Sequence, residues 1–323
     1  MKPILNAQID LNRIEFFITY KCTSRCDHCS VYSIDTQENS GQIDLVTAEN
    51  LINDACDNYK INSVMTFGGE PLLYPDLVCK IHNIAKNCDI PVRQIITNGY
   101  WSNNKNRINE IVSMITDVEV NNILVSIDCF HEKYLNYEIV KYTIEQLKKR
   151  TKVKLQLHPV WVRTKDDNNP YNERTKKVLS EFEELGILIN EGNILFPSGR
   201  ALINLSDYLP RANISIIGTC KDQPYTDMPN DIRSICVEPN GDIVACNAIG
   251  NIYEKPFKDI LRGYDYKKDQ VLKAMIERGS EGLYSVANEN NLELSSEDYY
   301  TVCELCKDVS KKLREKCLKT VST

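Results

Sequence analysis

Three cysteines near the N-terminus, Cys22, Cys26 and Cys29, form a dense group of potential metal ligands, separated by three and two residues. Thiolates so spaced can converge on one soft metal centre, which is zinc, copper(I) or an iron–sulfur cluster. A structural zinc site needs a fourth ligand, which His28 would supply. A four-iron cluster held by three cysteines instead keeps one iron open for a cofactor.

A second group of cysteines lies in the C-terminal third. The segment 234–246 predicts a β-hairpin, because two β-rich arms flank a Pro-Asn-Gly turn. The hairpin brings Cys236 and Cys246 together, and Cys303 and Cys306 follow at the start of a predicted helix. The two pairs predict a four-thiolate site, for which zinc is the alternative to an iron–sulfur cluster.

The composition restricts the class of protein. The chain has 323 residues and 13 cysteines, an odd number, and no charged leader followed by an apolar run. These features argue against a secreted disulfide framework and predict a cytoplasmic protein with reduced thiols. With 39 basic and 45 acidic residues the net charge is -6, which disfavours nucleic acid as a partner. No run approaches the roughly 18 apolar residues of a membrane span, so no membrane partner is expected.

Strand and helix patterns alternate through the first two thirds of the chain. Strands are predicted at 13–19, 63–67, 93–97, 122–127, 152–160 and 189–196, and helices at 45–59, 74–86, 104–115, 137–150 and 172–185. Such alternation predicts an α/β fold with a parallel sheet, either open or closed into a barrel. In both architectures the chemistry lies at the carboxyl ends of the strands.

Glycine and polar residues follow the predicted strands at those ends. They are Gly68, Gly69 and Glu70 after the second strand, Asn98 after the third, and Ser126, Asp128 and Cys129 at the fourth. Singly, a glycine pair is typical of a tight turn and an aspartate of a helix cap. Together they place a ligand-binding rim beside the first cysteine group.

The cysteine triplet and the Gly68-Gly69-Glu70-Pro71 turn resemble the radical S-adenosylmethionine (SAM) superfamily over about residues 12–200. The resemblance implies a partial (β/α)6 TIM-like barrel with a [4Fe-4S] cluster on Cys22, Cys26 and Cys29. In this family the open iron binds S-adenosylmethionine, whose reductive cleavage gives a 5′-deoxyadenosyl radical that abstracts a substrate hydrogen atom. An electron donor such as flavodoxin or ferredoxin is implied as a partner.

The same resemblance assigns the cofactor contacts. Gly68, Gly69 and Glu70 match the turn that meets the SAM ammonium group, where a carboxylate would complement the cation. Ser126 and Asp128 match polar positions that hold the ribose or carboxylate, and Asn98 could do the same. His28 stands where the family often has an aromatic residue packed near the adenine.

Residues 234–308 resemble the auxiliary-cluster appendage of this superfamily, in the short "twitch" form of the SPASM domain. The resemblance implies a small α+β domain with a second [4Fe-4S] cluster on Cys236, Cys246, Cys303 and Cys306. The expected division is a barrel over 1–205, a bridging segment over 206–233 and the auxiliary domain over 234–323.

Other cysteines have alternative interpretations. Cys220, in the bridging segment, is predicted as a hydrogen-atom donor, with an incidental loop thiol or an auxiliary-cluster ligand as alternatives. Cys129 is the second candidate donor, or packs beneath the rim. Cys317 is predicted to be a core residue, with cluster ligation as its alternative.

The resemblance favours an enzyme that modifies a ribosomally made peptide, specifically by Cα epimerisation with a cysteine donor. Against a peptide substrate, few residues precede Cys22, whereas many peptide-modifying members carry a leader-binding domain of ~80 residues there. The alternatives are a small-molecule dehydrogenase that uses the auxiliary cluster as electron acceptor, and a peptide cross-link or thioether maturase. A non-catalytic zinc protein is the alternative from another class.

Overall fold

The computed structural model describes residues 5–30, 41–150, 152–209, 218–222, 226–295 and 299–321, the last five of these as backbone only. The side chain of Cys317 therefore lies outside the described residues. The strands are β1 (Ile9–Phe17), β2 (Ser63–Phe67), β3 (Val92–Thr97), β4 (Asn122–Ser126), β5 (Lys154–His158), β6 (Val160–Trp161), β7 (Leu188–Ile189), β8 (Asn193–Ile194), β9 (Ile232–Val237), β10 (Asp242–Val244) and β11 (Ala248–Asn251).

The helices follow the predicted alternation and continue beyond it. They are α1 (Leu45–Asn58), α2 (Pro75–Asn87), α3 (Lys105–Asp117), α4 (Cys129–Glu132), α5 (Tyr137–Arg150), α6 (Pro170–Ser180), α7 (Arg200–Asn204), α8 (Phe257–Gly263), α9 (Gln270–Glu289) and α10 (Val302–Val321). Short side chains cap the long helices: Asp44 accepts from the Thr47 N–H at α1, and Asn104 accepts from two backbone N–H groups at α3.

Nine strands form one sheet in the order β11-β10-β9-β1-β2-β3-β4-β5-β7. Strands β1 to β5 and β7 are mutually parallel, as the alternation predicts. The predicted sixth strand is divided into β7 and β8, and β8 pairs with β6 in a separate two-stranded sheet. The α/β fold with a partial barrel is confirmed.

The main core lies between the sheet and its helices. Alternate strand residues such as Ile14, Phe16, Val64 and Ile95 are fully buried there. Because successive strand residues face opposite sides, their neighbours project to the other, interior face of the curved sheet. That interior face is available to a substrate.

The C-terminal third joins this sheet through the predicted hairpin. Strands β9 and β10 are antiparallel, and Gly241 in their turn has φ +87°, as its position in the turn requires. Strand β9 also pairs in parallel with β1, so the hairpin continues the barrel sheet. Helices α9 and α10 pack on each other around a second apolar core that includes Met275, Leu283 and Leu305. Within the described residues, none of the helices has both the length and the apolar character that a bilayer crossing demands.

Candidate active site

The cysteine triplet lies on the loop that follows β1 at the carboxyl edge of the sheet. The Cys29 N–H donates to the Cys26 carbonyl over 3.2 Å, which folds the loop on itself. Cys26 is buried against Phe130 and Ala201, and the Ser24 hydroxyl lies 2.8 Å from its sulfur. These contacts place the three thiols in one locality.

The electrostatics of this loop fit a cationic cluster. Burial, then the Glu70 carboxylate, raises the pKa of Cys22 to about 12, and Cys26 and Cys29 add to the effect. Three thiolates so close together repel one another unless a positively charged centre binds them. The donor set and its mutual repulsion therefore match an iron–sulfur cluster held by three cysteines.

Two glycines let neighbouring segments touch the cluster loop. A Cβ on Gly69 would lie 2.1 Å from the Lys21 carbonyl oxygen, and one on Gly199 would lie 2.6 Å from the Cys29 oxygen. The Arg200 N–H donates to the same Cys29 oxygen at 2.8 Å. The turn after β2 and the segment after β8 thus hold the loop from two sides.

Glu70 is buried and its carboxylate is occupied within the protein. It accepts hydrogen bonds from the Leu72 N–H (3.0 Å), the Thr97 hydroxyl (2.8 Å) and the Asn98 N–H (2.8 Å). Burial raises its pKa to about 7, although these donors act in the opposite direction. The expectation that this carboxylate complements the SAM ammonium is not supported by the geometry, which leaves contact to the backbone of the turn.

Asn98 and Ser126 lie at the expected rim. The Asn98 side-chain amide donates to the Thr23 hydroxyl at 2.9 Å and lies 3.7 Å from the Cys22 sulfur. Ser126 ends β4 and pairs in register with His158 on β5. Both side chains are therefore beside the cluster loop or at the mouth of the barrel.

Asp128 acts as a helix cap in this structure. One carboxylate oxygen accepts from the Phe130 and His131 N–H groups, each at 3.0 Å, and lies 2.8 Å from His131 Nδ1. The other accepts from the Val160 N–H at 3.2 Å. Both carboxylate oxygens of Asp128 therefore have partners within the protein. The expectation was that this side chain holds part of SAM.

His28 is buried in an aromatic group. Its ring lies 4.8 Å from Phe130 and 5.1 Å from His131, measured between centroids. Burial lowers its pKa to about 4, so the imidazole is neutral at pH 7. Nδ1 is buried and has no hydrogen-bond partner among the described residues, so it is a polar atom that a ligand could satisfy.

Cys129 begins α4 and lies under the rim. It packs with the apolar group that contains Phe130 and Tyr171, and its N–H donates to the Thr175 hydroxyl at 3.2 Å. Burial raises the pKa of its thiol to about 12. The geometry agrees with the packing alternative for this residue.

At the second site Cys220, Cys246, Cys303 and Cys306 lie close enough to interact electrostatically, whereas the expected auxiliary ligands were Cys236, Cys246, Cys303 and Cys306. Cys220 and Cys306 pack against the same apolar core of α9 and α10. Burial is the main cause that raises the pKa of Cys220 to about 12, and the charges of Cys303 and Cys246 raise it further. Burial likewise raises the pKa of Cys306, and the charges of Cys246, Cys220 and Cys303 add to this effect.

A kink in α9 positions Cys220. Gly279 has φ +62°, and its missing side chain admits the Gly218 carbonyl, which accepts from the Ser280 N–H at 3.0 Å. A Cβ on Gly279 would lie 2.1 Å from that carbonyl oxygen. The segment 218–220 is therefore fixed against α9 and directs Cys220 toward the other three thiols.

Cys236 lies apart from this group. Its neighbours Ile235 and Val237 are buried in the main core, so Cys236 faces the interior of the barrel. It pairs in register with Glu15 of β1. Burial raises its pKa well above the ordinary value, and the charged groups that add to this effect are Glu15 and Glu238.

Sequence reasoning missed the charged pair inside the barrel. Arg13 and Glu15 occupy alternate positions of β1, and their side chains are 31% and 25% exposed. Two opposite charges spaced by two, with the apolar residues Ile14 and Phe16 alternating with them, indicate a face that does not pack on helices. That signal was present in the segment 9–17.

Two family models match the chain. Residues 16–162 match the model of the Radical SAM superfamily, and residues 230–307 match SPASM, an iron-sulfur cluster-binding domain. The first match contains the cysteine triplet and the glycine turn. The second contains Cys236, Cys246, Cys303 and Cys306, and begins after Cys220.

Two curated relatives and one solved structure are similar to the chain. "Putative peptide biosynthesis protein YydG" of Bacillus subtilis is 21% identical over 159 residues, 49% of this chain and 49% of the relative. "Putative glycyl-radical enzyme activating enzyme MJ1227" of Methanocaldococcus jannaschii is 24% identical over 157 residues, 46% of this chain and 60% of the relative. The chain thus aligns with only half to three fifths of their lengths.

The solved structure described as "Native anSMEcpe with bound AdoMet" has a TM-score of 0.50 and 16% identity, covering 77% of this chain and 80% of that one. This likeness concerns the fold. The two matched domains imply a [4Fe-4S] cluster, SAM and additional iron–sulfur binding. The chain therefore contains a radical SAM domain followed by a SPASM iron–sulfur cluster-binding domain.

Proposed function

We propose that this protein epimerises a Cα atom in a peptide, with Cys236 as the hydrogen-atom donor. The observation that carries the proposal is the position of Cys236 on the interior face of β9, apart from the four gathered thiols. The relative from Bacillus subtilis, whose name refers to peptide biosynthesis, supports a peptide as the substrate.

The proposal exchanges the roles of two cysteines relative to the initial expectation. Cys220 replaces Cys236 as the fourth auxiliary ligand, beside Cys246, Cys303 and Cys306. Cys236 replaces Cys220 as the donor. The mutual pKa effects among the four gathered thiols support this exchange.

The residues have separate tasks in such a reaction. Cys22, Cys26 and Cys29 would hold the first cluster, and the glycine turn, Asn98, Ser126 and His28 would bind SAM beside it. When bound, the cluster and SAM supply the radical that removes the Cα hydrogen. Inversion then needs a hydrogen atom from the opposite side of the substrate, and Cys236 offers a weak S–H bond on the interior face.

A donor thiol distinguishes epimerisation from the alternatives. Dehydrogenation ends when an electron leaves the substrate, and cross-linking ends in a new bond, so neither requires hydrogen return. A cysteine directed into the barrel and outside the auxiliary ligand set therefore favours epimerisation.

The test is turnover of a candidate peptide with SAM and a reductant in deuterated water. A thiol exchanges its proton with solvent, so we expect a mass gain of about one unit and deuterium at an inverted Cα. Cys236→Ala should cleave SAM without inverting the peptide, whereas Cys88→Ala, at the C-terminal end of α2, serves as the matched control. Loss of about two mass units by the wild type would instead indicate oxidation or a cross-link.

Iron analysis tests the ligand exchange independently. Two four-iron clusters give about eight irons per chain, and we expect Cys220→Ala to keep about four while Cys236→Ala keeps about eight. The opposite pattern, with iron lost from Cys236→Ala and kept by Cys220→Ala, refutes the exchange and restores the initial assignment.

A further inference from the structure

An ion pair inside the barrel lies outside the cofactor contacts described above. Arg13 Nε is 2.5 Å from Glu15 Oε1. Arg13 also donates to Gln94 Oε1 at 3.1 Å and contacts Met65 Sδ at 2.9 Å. These contacts tie Arg13 to β2 and β3, so the Glu15 carboxylate has a fixed position on the interior face.

Glu15 lies directly beside Cys236. The two residues are register partners on neighbouring parallel strands, where paired side chains project to the same face about 5 Å apart. The other carboxylate that acts on this thiol, Glu238, accepts from the Tyr20 hydroxyl at 2.9 Å.

The Glu15 carboxylate is also accessible to solvent. Its side chain is 25% exposed, and Arg13 occupies only Oε1. Among the described residues no hydrogen bond reaches Oε2. One oxygen is thus anchored by the guanidinium, and the second is left for solvent or a neighbouring group.

The proposed function creates a need for such a group. After Cys236 gives its hydrogen atom to the substrate, the sulfur lacks one electron and one proton. The electron must come from a low-potential one-electron donor of the flavodoxin or ferredoxin class, which the chemistry of the family already requires. The proton must reach a sulfur whose thiolate is strongly basic at this position.

We propose that Glu15 returns the proton to Cys236 in each turnover, with Arg13 as the residue that orients its carboxylate. Once the sulfur is reduced to a thiolate, the Glu15 carboxylate takes a proton from water and passes it to the sulfur, so that an S–H bond forms, the carboxylate is ionised again and hydroxide is left in the solvent. One electron and one proton therefore restore each thiol consumed. This inference rests on the proposed function, because it requires Cys236 to be the donor.

A first experiment tests the contact without any peptide. The cluster-loaded enzyme is alkylated anaerobically with iodoacetamide between pH 7 and 9, and modification of Cys236 is quantified by mass spectrometry. Thiolate is the reactive form, and one pKa unit changes its fraction about tenfold. Glu15→Gln removes the nearest negative charge, so we expect alkylation of Cys236 to accelerate about tenfold, and by less in Glu238→Gln. A rate within twofold of the wild type in Glu15→Gln overturns the proposal.

A second experiment separates the first turnover from later ones. In Glu15→Gln the thiol is already protonated, so we expect about one inverted peptide per enzyme at the wild-type rate, followed by turnover at least about tenfold slower. Glu15→Asp should recover part of the later rate, and Glu238→Gln should keep it. Full multiple turnover by Glu15→Gln, or loss of its first turnover, overturns the proposal alone. A wild type that inverts no peptide overturns it together with the proposed function, whatever the alkylation rates.

Discussion

Gly69 offers a sharp test of how the glycine turn supports the cluster loop. In Gly69→Ala the new Cβ would lie 2.1 Å from the Lys21 carbonyl oxygen and 2.9 Å from the Tyr20 oxygen. Ordinary contact begins at 3.4 Å, so the turn and the loop must separate by roughly 1.3 Å. Both neighbours are backbone atoms and cannot rotate away as a side chain would.

That separation breaks two backbone hydrogen bonds. Gly69 donates to the Thr19 carbonyl at 2.7 Å, and Glu70 donates to the Lys21 carbonyl at 2.8 Å. Each lost bond costs about 1 kcal/mol, and the overpacking adds about 1–3 kcal/mol. We therefore expect the free energy of unfolding to fall by about 3–5 kcal/mol. Because the loop begins at Lys21, the displacement should also weaken the cluster bound by Cys22.

The assay combines anaerobic thermal unfolding with iron analysis of the reconstituted protein. At about 2 °C per kcal/mol for a chain of this size, the unfolding midpoint should fall by about 6–10 °C. Gly263→Ala is the matched control, because nothing lies within 4 Å of its Cβ at the end of α8, and it should change the midpoint little. A Gly69→Ala protein with wild-type midpoint and iron content would refute the reasoning.

Three further predictions concern contacts near the site. Tyr20→Phe removes the donor to half-buried Glu238, so unfolding by denaturant should show about 1–2 kcal/mol less stability. Burial raises the pKa of Asp128, but His131 and the hydrogen bonds to the carboxylate lower it overall. Asp128 therefore stabilises the folded protein above about pH 4, and this stabilisation is lost in more acidic solution. In a titration of stability against pH, Asp128→Asn should abolish this acid-side loss. Burial lowers the pKa of His131, but Asp128 raises it overall. His131 therefore stabilises the folded protein fully below about pH 6.5, and this stabilisation is lost as the pH rises through the higher pKa of the folded state. His131→Gln should flatten that alkaline-side loss of stability.

The barrel was largely predictable because its signals are local. The helix predicted at 137–150 is α5 without change, and the strand predicted at 63–67 is β2. The predicted strand at 189–196 failed as one element because Gly192, at φ +75°, turns the chain between β7 and β8. The pairing of β9 with β1 was not predicted, since nothing local in 232–237 specifies a partner more than 200 residues away.

The cysteine triplet was located by spacing alone, because its three residues share one short loop. The auxiliary set was harder, since the four cysteines of the proposed set come from three separate segments, of which only α10 supplies two. Cys236 and Cys246 share a hairpin, which suggested a common ligand role. Cys236, however, lies within a strand and faces the barrel, whereas Cys246 lies beyond the end of β10.

The register between β1 and β9 therefore has chemical consequences. A slip of one residue would turn every side chain of β9 to the opposite face, and Cys236 would then enter the main core in place of Ile235 or Val237. A register irregularity lies between Ile9 and Arg13, and regular pairing runs from Arg13 onward through Glu15. After this irregularity, Arg13 pairs in register with Ser234 and Glu15 pairs with Cys236 of β9. Since backbone pairing sets the approach of Glu15 to Cys236, a one-residue deletion between residues 9 and 13 should disturb that approach more than a change in the β9–β10 turn.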